Sequence, residues 1–191
     1  MPRRSDSRQR MVRTAAALLR RQGYAATGWR SVVAESGTPW GSQAHHFPGG
    51  KEQLAVDAVA WSGEAFERLL RGALANGHPA DAVEAWTRLG GAELERSGWR
   101  DGCPVATVAL ETAHDNDALA SACTSAFGSW RSAIAEAIQA RGVDEAAAQS
   151  LATFTLAAVE GALLLARAER STEPLFAVGR HLSGVLRANV E

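Results

Sequence analysis

A chain of 191 residues, 46% hydrophobic and 21% charged, has enough apolar matter to bury a core and build one or two compact domains. It contains no uncharged apolar run of about 18 residues, which argues against a membrane span, and its two cysteines, Cys103 and Cys123, are too few for a disulfide framework and lack metal-site spacing. The formal charge of −1 conceals an asymmetry: residues 1–51 hold nine basic groups against two acids, a balance of +7, whereas residues 52–191 hold eleven against nineteen, a balance of −8.

The periodicity predicts a first helix over 7–22, with Met11, Ala15, Leu18 and Leu19 on one stripe and Gly23 as its stop. The basic start of the chain, from Arg3 onward, gains apolar residues only at helical spacing and is interrupted by Arg20 and Arg21, so it does not read as a signal-peptide core. Thr27 is a suitable N-cap for a second helix over 28–36, with Val32 and Val33 inward. Gly37 permits a tight left-handed turn. A third short helix is expected to open with Thr38 as cap and Pro39 in its first turn, carrying Trp40, Gly41, Ser42, Gln43 and Ala44. Phe47 would plug a small three-helix core, and Pro48, Gly49 and Gly50 form a loop. Two short helices joined by a sharp turn, within the basic third of the chain, have the form of a probe for the DNA major groove.

A long helix follows over 51–74, with Leu54, Ala58, Trp61, Ala65 and Leu69 on one face. Asn76 to Pro79 break the chain before an amphipathic helix over 81–97. Pro104 opens a short helix, and two long helices are expected over 115–140 and 144–168. Pro174 starts the last helix, which carries Leu175, Val178, Leu182, Val185 and Leu186 in register. No strand-like alternation occurs anywhere, so the fold class is all-α with about nine helices. The helix over 146–168 is apolar over most of its circumference and needs cover on more than one side, from the chain's own core or from a second copy of itself. The interface with such a copy is assigned to Leu151, Val159 and Leu163 with Leu175, Val178, Leu182 and Val185.

These residues resemble the TetR family of bacterial transcriptional regulators. The likeness lies in Ala15, Ala16, Leu18, Leu19, Gly23 and Tyr24, in Thr27, and in Val32 through Gly37. It continues through Gly41, Ser42, His46, Phe47 and the run Lys51 to Leu54. The segments FPGGKEQL and GCPVATVALE are similar to the LmrA-like subgroup. The chain departs from the family pattern at Trp40, at Ala44 and in the longer loop 48–50, which bears on contacts carried over to positions 40 and 44. The resemblance implies a helix-turn-helix DNA-binding domain over 1–50, with the motif at about 28–47, and a ligand-binding and dimerising domain over 51–191. The last two helices would meet a partner in a four-helix bundle, and a small-molecule effector would release a homodimeric repressor from an inverted-repeat operator in double-stranded DNA. No cofactor, metal or catalytic residue is implied, and the expected location is the cytoplasm.

Within that frame Trp40, Ser42 and Gln43 are the candidate base readers, although Trp40 suits the domain core as well. Thr27, Thr38, His45, His46 and Lys51 are the candidates for phosphate contact, Arg30 suits either role, and Pro39 is counted among the DNA-binding residues without a separate role. Adjacent His45 and His46 do not share a helix face and make a poor metal pair. A ligand pocket is expected from Trp61, Phe66, Trp86 and Trp99, from Cys103 and Val108, and from Phe127, Trp130 and Phe154. Glu111 or His114 would supply polarity to a planar apolar ligand, although ordinary core packing explains any single aromatic. The competing readings are an enzyme built on His114 with Asp115, Asp117 or Cys103, and an adaptor without DNA binding. No phosphate cradle, zinc motif or third orienting group supports the first, and the +7 first third argues against the second.

Overall fold

The computed structural model describes residues 4–75 and 77–190; Arg3 of the basic segment and Asn76 of the break thus lie outside the described residues. Among the described residues there are nine helices and no strand: α1 (Arg4–Ala26), α2 (Trp29–Ser36), α3 (Ser42–His46), α4 (Gly50–Ala75), α5 (Pro79–Arg96), α6 (Pro104–Thr112), α7 (Asp117–Gln139), α8 (Glu145–Glu169) and α9 (Glu173–Asn189). The all-α architecture expected from the periodicity is the one observed.

Helix ends follow local chemistry. His78 caps α5 by accepting from Ala80 N through Nδ1 at 3.1 Å, Cys103 Sγ accepts from Ala106 N at the start of α6, and Asp144 accepts from Ala146 N and Ala147 N at the start of α8. Gly23 has φ 78 and ψ −176, a conformation closed to side-chain-bearing residues, so α1 breaks where the sequence signals a stop. Two expected boundaries move. Gly28, not Thr27, caps α2, because the Thr27 hydroxyl turns back to the Gly23 carbonyl at 2.7 Å. Likewise α3 begins at Ser42 rather than at Pro39, because Gly41 at φ 106 interrupts the backbone and Ser42 N closes a turn on Pro39 O. This is the positive φ that a type II turn requires at its third residue, and Gly41 carried that signal.

The chain divides into two compact units, Met1–Glu64 with Cys103–Ala126, and Ala65–Gly102 with Phe127–Glu191. In the first, α1 packs on α2, α3 and α6 around Met11, Leu18, Leu19, Val32, Phe47 and Val108, all fully or almost fully buried. The first unit thus holds α6 and the first turns of α7 together with the helices of residues 1–50, a different partition from a cut at residue 50. In the second unit α5, α8 and α9 pack together around Leu94, Ala162, Ala166 and Leu175. His78 Nε2 meets the Val190 carbonyl at 2.8 Å, and Arg187 pairs with Asp81, so the end of α9 is tied to the start of α5.

By length and composition α8 could cross a membrane. It is instead a packed helix: Ala148, Ala152, Thr155, Leu156, Val159, Ala162 and Ala166 form a buried stripe. Its other face is apolar and exposed, with Phe154 at 52%, Leu164 at 60% and Leu165 at 52%. Val159, Leu175 and Leu182, expected at a subunit contact, are buried inside their own unit and have no surface left to offer a partner. Leu163 and Val178 pack against the Leu94 cluster, Leu151 is half-buried, and Val185 alone of that set is exposed.

Close helix contact in the second unit depends on Gly179, where an added Cβ would lie 2.3 Å from Thr87 Oγ1. Thr87 is buried and bonded to the Glu84 carbonyl, so it cannot simply turn away. Gly179→Ala is expected to destabilise by about 1–3 kcal/mol. Gly72→Ala, on the exposed face of α4 with open space around its Cβ, should instead stabilise by about 0.5–1 kcal/mol. Urea unfolding of the two variants checks the opposite signs.

Candidate nucleic-acid interface

The first unit presents α2, a turn and α3 on a small apolar base. Phe47 is the plug, with the Trp29 ring 5.9 Å away, the His46 ring edge-on at 6.4 Å and the Arg8 guanidinium 5.3 Å from its centre. Arg8 also pairs with Asp57 at 2.6 Å, which ties α1 to α4; burial nevertheless holds the Asp57 carboxyl above its usual range. Between the two short helices Gly37 takes the left-handed conformation at φ 62, and its N–H bonds the Ala34 carbonyl. The Ser36 and Thr38 hydroxyls then bond each other at 2.8 Å inside the turn.

This geometry sorts the residues expected to meet DNA. Trp40 is 61% exposed, so it projects from the turn and is not part of the core. Arg30, Pro39 and His45 are exposed, and Ser42, Gln43 and His46 are half-buried. The Gln43 Oε1 atom accepts from Gly41 N at 2.9 Å, which folds the amide across the turn. Thr27 and Thr38 are both buried with their hydroxyls bonded internally, so they shape the motif rather than reach phosphate. Lys51 donates to the Ala25 carbonyl at 3.2 Å and lies 4.3 Å from the centre of the Tyr24 ring. Burial lowers its pKa, an effect opposed by the nearby Glu111 carboxylate. Its ammonium is therefore engaged within the protein as well as placed near the start of α4.

The residues expected to line a ligand pocket fall into separate places. Phe66, Trp86, Phe127 and Trp130 form one aromatic cluster in the second unit, with ring centres 4.6 to 5.4 Å apart. Trp99 packs on the Leu94 cluster, and Phe154 lies on the exposed face of α8. Trp61 belongs to the first unit, under the Arg13 guanidinium at 5.9 Å, and lines an open groove with Arg8, Gln9, Val12, Asp57, Ala60 and Glu64. Val108 is core in the first unit. Glu111, expected to give polarity to a pocket, instead accepts from the backbone N–H groups of Tyr24 at 2.7 Å and Ala25 at 2.9 Å. No periodicity or motif marks a pairing that spans 87 residues, so the sequence carried no signal for it. His114 is exposed, 3.6 Å from Asp115, and burial pushes the Cys123 thiol up to about 11, where it stays protonated.

A helix, a left-handed glycine turn followed by the exposed Trp40, and a short second helix define a helix-turn-helix protein. Comparison with known proteins agrees. Residues 79–181 match the family described as the C-terminal domain of LmrA/YxaF-like transcriptional regulators. The chain is 32% identical to YxaF, an uncharacterized HTH-type transcriptional regulator of Bacillus subtilis (strain 168), over 188 residues that make up 98% of each chain. It is also 32% identical to the HTH-type transcriptional regulator LmrA of the same organism over 183 residues, 95% of this chain and 97% of that one. The crystal structure of a TetR transcriptional regulator from Chloroflexus aurantiacus superposes with a TM-score of 0.81 at 29% identity, covering 100% of this chain and 98% of the other. The chain belongs to the TetR family of transcriptional regulators, in its LmrA/YxaF-like branch. It is a DNA-binding regulator and not an enzyme.

The burial pattern separates residues that build the motif from residues it presents. Thr38→Val should remove the shorter of the two bonds of the buried Ser36 hydroxyl, leaving it the Val33 carbonyl at 3.3 Å, and destabilise by about 1 kcal/mol. Trp40→Ala removes an exposed ring and should stay within about 0.5 kcal/mol of the parent. Thermal unfolding without DNA distinguishes the two.

Proposed function

We propose that this regulator is a cytoplasmic homodimeric repressor that reads an inverted-repeat operator through the turn and α3, and leaves it when a small planar apolar ligand binds. The observation that carries this reading is the exposed Trp40 at the tip of a motif whose threonines face inward. An indole held out in solvent has a thymine methyl or a sugar face as its natural partner in a major groove. Gln43 would act beside it. Its Oε1 is held by Gly41 N, so its amide N–H2 group is suited to an acceptor on a base edge rather than to bidentate pairing with adenine. Ser42 would add a hydroxyl contact, while Arg30, His45 and His46 would contact phosphate and fix register without reading sequence. Residues 1–50 would carry the DNA-binding function and residues 51–191 the effector and dimer functions, with α6 contributing to the first unit.

Support for the ligand reading comes from the Phe66, Trp86, Phe127 and Trp130 cluster, whose tilted and edge-on rings suit an aromatic guest inserted among them. Dimerisation is supported by the outer stripe of α8, where Phe154, Ala157, Gly161, Leu164, Leu165 and Ala168 recur at intervals of three and four and remain exposed. His181, Gly184, Val185 and Ala188 continue this pattern on α9.

A direct test selects a duplex from a random pool with the wild-type protein. Replacing thymine by uracil at the contacted step should weaken binding about as much as Trp40→Ala does, because each removes one side of the same methyl contact. Affinity should fall roughly a thousandfold or more between about 50 and 200 mM salt if several phosphates are held per dimer. A salt-independent affinity, or a selected site without two-fold symmetry, would count against this reading.

For the dimer, Leu164→Glu should shift light-scattering mass toward the monomer while helicity is kept, since the side chain is exposed within one chain. Leu182→Glu should instead lose helicity, because that position is buried core.

A further inference from the structure

The elbow between α1 and α2 is held from outside its own sequence. At Gly23 the helix breaks, and the N–H groups of Tyr24 and Ala25 both point to one oxygen of Glu111, in the last turn of α6. The fit leaves no slack on the other side, since a Cβ at Gly23 would lie 1.9 Å from the second Glu111 oxygen. Lys51, in the first turn of α4, takes the Ala25 carbonyl and covers the Tyr24 ring. Thr27 then closes the elbow by bonding the Gly23 carbonyl. The helix that leaves this elbow, after the Gly28 cap, is α2. A carboxylate accepting two backbone N–H bonds is among the stronger tethers an exposed surface can hold, because the acceptor is charged and both bonds converge on it.

We propose that Glu111 is a positioning residue for sequence-specific DNA binding: by clamping Tyr24 and Ala25 it sets the angle at which α2 and α3 leave α1, and hence the fit of Trp40 and Gln43 to base edges. This rests on the assignment of the turn and α3 as the reading surface. Phosphate attraction depends on charge and tolerates a shift of an ångström or two, whereas base-edge contacts do not. Loosening the clamp therefore reduces specific affinity selectively. Simple loss of folded protein lowers specific and nonspecific binding together.

The experiment uses the full-length dimer, the selected duplex and a scrambled duplex of equal length, with amide hydrogen exchange in parallel. Glu111→Ala is expected to speed exchange at Tyr24 and Ala25 and to weaken the selected duplex by about ten- to a hundredfold, with the scrambled duplex unchanged within about twofold. Glu111→Gln keeps an acceptor oxygen without the charge and should lie between Glu111→Ala and the parent. Wild-type affinity in Glu111→Ala, despite faster exchange at both amides, would overturn the proposal. Equal losses on both duplexes with a lowered unfolding midpoint would overturn it too, as they mark a structural role alone. Trp40→Ala serves as the separate arm: if it leaves specific affinity untouched, the reading surface is misassigned, whatever Glu111 does.

Discussion

The DNA-binding unit depends on a helix broken at Gly23. Ending α1 there with φ 78 and ψ −176 turns the chain sharply, but it also strips the neighbouring peptide groups of their helical partners. Those groups are bonded again from three directions: Glu111 takes two N–H groups, Lys51 takes the Ala25 carbonyl and Thr27 takes the Gly23 carbonyl. The direction of α2 follows from that closure, and the Gly37 turn and the Ser36–Thr38 hydroxyl pair then fix α3 relative to α2. Trp40 projects because the turn beneath it is already satisfied and Gly41 keeps the helix from starting sooner. The one large exposed aromatic of the motif thus stands beside Ser36 and Thr38, whose hydroxyls are buried and bonded inside the turn.

A second constraint governs the helices of the other unit. α8 carries apolar residues around most of its circumference, and the structure divides them into two stripes. One, from Ala148 to Ala166, is rich in alanine and lets neighbouring helices approach closely; the same economy holds where α9 meets α5, with Gly179 against Thr87. The other holds Phe154, Leu164 and Leu165 in the open. Leaving such large side chains in water is unfavourable by roughly 1.5–3 kcal/mol each compared with full burial, which makes a second copy of the chain the natural cover.

α6 lies within the first unit, its Val105 and Val108 in that unit's core and its Glu111 on the elbow. α4 and α7 are each a single uninterrupted helix with residues in both units. The aromatic cluster draws Phe66 from the later turns of α4 and Phe127 and Trp130 from the middle turns of α7, beyond the points where those helices leave the first unit, and Trp86 from α5.

The sequence by itself determined the helices, because apolar spacing near 3.6 residues, the stops at Gly23 and Gly37 and the starts at Pro79 and Pro104 are local properties of the chain. It determined the motif for the same reason: glycine conformation and turn chemistry act over a few residues, and the charge asymmetry needs only counting. Only the tertiary structure decided which apolar residues of α8 and α9 face inward, since Val159 and Leu182 look no different in sequence from Leu164 and Val185. It alone turned Thr27 and Thr38 from phosphate contacts into internal bonds, and it moved Glu111 from a ligand pocket to the elbow. In each case a side chain had two chemically reasonable partners. The choice between them belongs to packing, which brings together residues as far apart in the chain as Tyr24 and Glu111 and leaves no periodic trace.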